Sequence, residues 1–221
     1  MPPLYIHGCI YTARGDRIVA VTRSLLLLAA AACAAPAADL RYYIEPCTRP
    51  ETACQKNDPQ LAEWALKAWQ NASGGTLHLE KSAVPERAQI RIHWADGRSG
   101  LYGEAQPIVV EGKRGANVYI LPDTTQLGQD IAREADKDPL LRETIVYLTC
   151  LHETGHALGL AHTSAFPDIM YSFQFGGDFV EYFGRYRRKL NVRADIERNP
   201  GMSAQDQMRL AAALAQTLAQ P

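Results

Sequence analysis

The sequence predicts an α+β fold: one sheet of four or five strands with three main helices packed on it. Three observations carry that reading. Short segments of alternating polarity recur between residues 40 and 121. Longer segments with a 3.6-residue apolar period follow the first of them and also close the chain. The 221 residues, 47% hydrophobic and 21% charged, suffice for one sizeable core and contain no internal repeat. A formal net charge of −1 offers no field that would gather nucleic acid, and no segment is long and apolar enough to span a membrane.

Residues 40–44 read as the first strand. Asp58 then caps a helix with Pro59 at its first position, where the missing N–H is harmless. Leu61, Trp64, Ala65, Ala68 and Trp69 fall on one face of that helix, which predicts core packing against the sheet. Gly74-Gly75 ends it. Strands follow at 76–80 and 89–94, where Ile90, Ile92 and Trp94 face one way and Arg91 and His93 the other. Residues 108–110 and 118–121 complete the sheet. The stretch between, DGRSGLYGEAQP, reads as a surface loop or a strand edge.

Asp138-Pro139 opens a second long helix that ends near Gly159. Residues 172–200 form a long connection with an aromatic half (Phe173, Phe175, Phe179, Tyr182, Phe183, Tyr186) and a basic half (Arg185, Arg187, Arg188, Lys189, Arg193). The basic half reads as a solvated face, with a preference for acidic substrates as the alternative. Ser203 caps a last helix, with Met208, Ala212 and Leu214 available for packing.

Residues 1–38 read as a secretory signal. Arg14, Arg17 and Arg23 precede an apolar run at 25–32, and Ala35-Pro36-Ala37 offers a cleavage site. The long stretch before the run suggests a true start downstream of Met1. Cys33 after three alanines is a weaker, lipoprotein-like reading. Residues 39–221 would then be the exported domain, secreted or periplasmic. Of the five cysteines, Cys9 and Cys33 fall in the signal. Cys47 and Cys54 bracket a short loop and are expected to form a local disulfide in an oxidising compartment. Cys150 is expected to be a buried small hydrophobe.

Inside the second long helix the chain reads HETGHALGLAH. His152 and His156, four apart, share a helix face one turn apart and can supply two ligands to a tetrahedral zinc. Glu153 is placed to lean over an open coordination position as general base and acid. Gly159 permits the left-handed turn that returns His162 to the metal as the third ligand. Leu148, Leu151, Ala157, Leu158 and Leu160 make the helix apolar, so its polar groups need partners.

With these residues in place, the chain resembles the metzincin metallopeptidases, whose signature is this long motif followed by a Met-turn. Within them it is similar to the matrixin branch in the step from His162 to Met170 and in the pair Met170-Tyr171. The resemblance implies a zincin-like single domain with a mixed, twisted sheet. It implies zinc ligands His152, His156 and His162, catalytic Glu153, and Met170 as the apolar floor under the metal. It further implies an extended substrate laid on a strand edge at residues 103–106, which assigns substrate binding to Gly103, Glu104 and Ala105. Tyr171 lies beside that substrate, and the segment after the Met-turn walls the pocket for the residue after the scissile bond.

Some features depart from the family. Thr163 and Ser172 stand where Ser and Pro are usual, and no cysteine-switch string is present. A second, structural zinc needs more histidines than the His78 and His93 left in the domain. Calcium is left open, because no acidic cluster matches a calcium loop strongly. The expectation is an exported, monomeric zinc endopeptidase acting on proteins or peptides. The alternative is a catalytically silent, zinc-stabilised extracellular binding protein; a narrow amidase or peptidase is a third reading.

Overall fold

The computed structural model describes residues 37–98 and 102–219; the signal, with Cys9 and Cys33, lies outside the described residues apart from Ala37 and Ala38. In chain order the elements are β1 (Ala38–Ile44), α1 (Asp58–Ala72), β2 (Leu77–Lys81), β3 (Ile90–Trp94), β4 (Gly103–Val110), β5 (Lys113–Ile120), α2 (Gln129–Lys137), α3 (Pro139–Ala157), α4 (Phe179–Arg187), α5 (Asp195–Arg198) and α6 (Ala204–Ala219). The fold is α+β with a mixed five-stranded sheet, as the sequence predicts.

The sheet order is β2-β1-β3-β5-β4. The β1–β2, β1–β3 and β3–β5 pairs are parallel, and β4 runs antiparallel to β5 at the edge. Ile90, Ile92 and Trp94 are buried and Arg91 and His93 are half-exposed, so β3 alternates as its pattern requires. The strand edge expected at 103–106 is the start of β4, which is longer than the 108–110 segment that the polarity pattern marked. Its first residues include half-buried Gly103 and Ala105, too small to give an apolar signal, and Pro107 is exposed. Pro107, lacking an N–H, is tolerated because β4 is an edge strand.

The helices α1 and α3 pack on one face of the sheet. Leu61, Trp64, Ala65, Ala68 and Trp69 are all buried there. Trp69 Nε1 donates to Leu151 O (2.9 Å) and to Thr154 Oγ1 (3.1 Å), joining α1 to the middle of α3. Asp58 departs from its expected role. Asn57 occupies the N-cap position without a side-chain cap bond, while the Asp58 carboxylate is buried and ion-paired with Arg142 of α3. Arg142 also reaches Ala53 O and Pro122 O, both at 3.4 Å. A carboxylate in the interior needs such a partner, which outcompetes a solvent-side cap. Next to it, Cys47 and Cys54 are disulfide-linked with a Cα–Cα distance of 5.4 Å, and Cys150 is free and buried.

The connection at 172–200 is not a plain loop. It holds α4 and α5, with Tyr182, Phe183, Tyr186 and Ile196 buried. Its basic half is split: Arg188 and Lys189 are exposed, as a solvated face requires, whereas Arg185, Arg187 and Arg193 are half-buried and engaged. Arg187 bonds Asp138 (2.7 Å), Arg193 bonds Glu143 (2.8 Å) and lies over the Trp64 ring, and Arg185 lies over the Phe166 and Tyr182 rings. Arg187 and Arg193 hold the connection against α1 and α3.

At α6, Asp206 N donates to Ser203 Oγ (3.0 Å) and Ser203 N to Asp206 Oδ2 (2.9 Å), a reciprocal cap. Leu214 is buried as expected, but Met208 and Ala212 are exposed. The inward face is instead Asp206, Leu210 and Leu214, rotated so that the Asp206 carboxylate can reach buried backbone.

Candidate metal centre

The site is built at the C-terminal end of α3. Asp138 caps the helix through Leu140 N (3.1 Å) and Leu141 N (3.2 Å). Its other end closes in a Schellman turn: Leu160 N bonds Gly155 O (3.0 Å) and Gly159 N bonds His156 O (2.9 Å), with Gly159 at φ +94°. That reversal carries the chain back to His162.

The three histidine Nε2 atoms converge, His152 to His156 at 3.2 Å, His152 to His162 at 3.2 Å and His156 to His162 at 3.0 Å. His152 Nδ1 lies 2.7 Å from Ile169 O and His156 Nδ1 lies 2.8 Å from Leu160 O. A carbonyl only accepts, so both Nδ1 atoms carry the proton and both Nε2 atoms present bare lone pairs. Lone pairs this close repel unless a cation sits among them. Nitrogens held about 2.0–2.1 Å from a tetrahedral zinc would stand roughly 3.3 Å apart, near the spacing seen here. Burial lowers the pKa of His152 to about 4 and also lowers that of His156, keeping both rings neutral and free to ligate. The residues present therefore fit zinc. Among the described residues, His78 and His93 belong to no group of potential metal ligands.

Met170 is fully buried against α3, and glycine at 155 makes room for it. A Cβ on Gly155 would stand 2.5 Å from Met170 Sδ and 3.0 Å from the Trp69 ring. The turn is tied back to the third ligand's loop by Thr163 N to Met170 O (2.8 Å) and Ser172 N to Thr163 O (3.1 Å).

Glu153 is buried beside the triad. Burial, and then the charge of Glu104, raises its pKa to about 8. Its carboxylate lies directly against β4, since a Cβ on Gly103 would fall among its atoms, 2.7 Å from Cγ. Gly103, His152, Glu153, His162 and Tyr171 open onto one cavity of about 360 Å³. Tyr171 forms its wall, with its hydroxyl donating to Gly176 O (2.7 Å). Phe173, Phe179, Tyr182 and Phe183 from the connection after the Met-turn complete the apolar side. Glu104 and Ala105 point elsewhere. Glu104 lines a polar basin with Glu45, Arg49, His93 and Arg98, whereas Ala105 lines a groove that reaches His156. The alternation of a strand turns Glu104 away from Gly103, while Ala105 lies further along the edge, toward His156.

Tyr102 and Thr149 line the same cavity and carried no sequence signal. Asp168 was visible only as part of the string before Met170. It is 2% exposed and accepts from Thr163 Oγ1, Ser203 Oγ and Arg209.

Fold and triad together define a zinc metallopeptidase domain of the metzincin kind. The chain belongs to the matrixin family, whose model matches residues 35–177. No curated protein matches the chain.

Proposed function

We propose that this protein is an exported zinc endopeptidase in which Glu153 is the general base and acid. The observation that supports it most is the position of Glu153, pressed against the Gly103 edge of β4 and one residue from the first of three converging imidazoles. A bound zinc would polarise the scissile carbonyl and make water more acidic. His152, His156 and His162 would hold it, with Met170 beneath. Glu153, desolvated and uncommitted to any hydrogen bond among the described residues, takes the proton of the attacking water and returns it to the departing nitrogen.

The backbone of β4 around Gly103 aligns an extended chain by adding it to the sheet edge. The cavity walled by Tyr171 and the aromatic connection receives the side chain after the scissile bond. Its apolar walls favour a large hydrophobic residue there. The Cys47–Cys54 disulfide supports an oxidising, extracytoplasmic compartment and hence the signal reading of residues 1–38. Among the described residues no helix is long and apolar enough to cross a membrane.

The test is Glu153→Gln, assayed with a mixed peptide library. The variant should keep zinc and fold and lose most turnover, on the order of 10²-fold or more. Unchanged turnover would overturn the role of Glu153. Bound zinc with no cutting by either protein would leave the zinc-stabilised binding protein as the reading.

A further inference from the structure

His152 and His156 are each oriented twice, by the shared centre and by a carbonyl on Nδ1. Among the described residues, the ring of His162 has contacts only at the centre, and it is exposed. Its place is therefore set by the loop it stands on. The residue after it, Thr163, bonds through Oγ1 to Asp168 Oδ2 (3.0 Å), which closes the loop across its base. The Asp168 carboxylate is itself gripped by α6 and its cap: Ser203 Oγ donates to Oδ1 (2.7 Å) and Arg209 to Oδ2 (2.7 Å). A buried carboxylate persists only with such partners, and one that has them is stiff.

We propose that Asp168, held by Arg209 and Ser203, is a positioning residue for His162, so that the C-terminal helix sets how tightly the metal is held. This rests on the zinc-centre reading above. Partners that orient metal ligands from outside the coordination shell commonly govern affinity by about 10–100-fold. Here the orienting contact comes through the loop backbone and not through the ring.

The experiment is zinc affinity of the purified protein by competition with a chromophoric chelator, alongside thermal melting and the visible spectrum of the cobalt-loaded form. The proteins are wild type, Thr163→Val, Asp168→Asn, Arg209→Met and Arg209→Lys. Asp168→Asn and Arg209→Met should weaken zinc by about 10–100-fold and shift the cobalt spectrum. Thr163→Val should weaken it less, and Arg209→Lys should restore most of what Arg209→Met loses. Thr163→Val removes one half-exposed hydroxyl and leaves the buried pair intact, so it decides the matter if Asp168→Asn does not fold. Melting temperatures that fall while zinc affinity stays within about twofold would overturn the proposal and leave Asp168 a mere anchor of α6. A wild type that binds no zinc would overturn the metal centre itself, and the proposal with it.

Discussion

His152 and His156 stand on a 19-residue helix closed at both ends, whereas His162 stands on a loop. The helix half gets its geometry from periodicity, from two caps and from packing under the sheet. The loop half gets its geometry from the backbone bridge of Thr163 to Met170 and Ser172 and from a few polar contacts to α6. A metal site can thus be rigid on one side by repetition and on the other by a short backbone bridge and a few specific side chains. The two halves should fail differently.

The largest expected effect is on the helix half. Arg142→Ala would strand the buried Asp58 carboxylate and detach α3 from the disulfide loop. It should lower stability by about 3–5 kcal/mol in urea unfolding. A loss below about 1 kcal/mol would show that α3 stands without this pair. Next comes the seam between the halves. Gly155→Ala forces Met170 and Trp69 to move, so it should cost about 1–3 kcal/mol and weaken zinc as well. Unperturbed zinc affinity there would mean that the Met-turn shifts freely of the ligands.

Acid should sharpen the contrast further. Burial by itself would raise the pKa of Asp168, but hydrogen bonds from Ser203, Arg209 and Thr163 outweigh it, and the folded value is lowered. A depressed carboxylate stabilises the fold fully above its unfolded pKa of about 3.9, and that contribution is lost as pH falls through the folded value. Hydrogen exchange below about pH 4 should therefore quicken in residues 163–172 and α6 before it quickens in α3. Simultaneous loss would contradict a separate loop half. The smallest effect is expected at exposed Met208: Met208→Ser should change stability by no more than about 0.5 kcal/mol.

The sequence made the helix half plain. His152, Glu153, His156 and the Asp138-Pro139 cap are local patterns, read within a turn or two of helix. His162 and Met170 were legible through their spacing from it. The alternating strands and the Trp64/Trp69 face were equally clear. What was hidden depended on partners far along the chain. Asp58 looks like a cap until Arg142, 84 residues later, claims its carboxylate. Arg185, Arg187 and Arg193 look solvated until Asp138, Glu143 and three aromatic rings receive them. In α4, Tyr182, Phe183 and Tyr186 do have helical spacing, but Gly176-Gly177 and the surrounding charge obscured it. β4 was muted for a different reason: the residue that faces the site, Gly103, has no side chain.

That smallness bears on how such a protein can change. Position 103 is occupied twice over, once by backbone that an incoming chain would read and once by the carboxylate of Glu153 lying on it. No side chain can be added there without moving Glu153, so this point of the edge and Glu153 cannot vary independently. Glu104 and Gln106, one and three residues further along the same strand, face a separate polar basin. Those two positions can vary without displacing Glu153, whereas Gly103 and Glu153 are locked together.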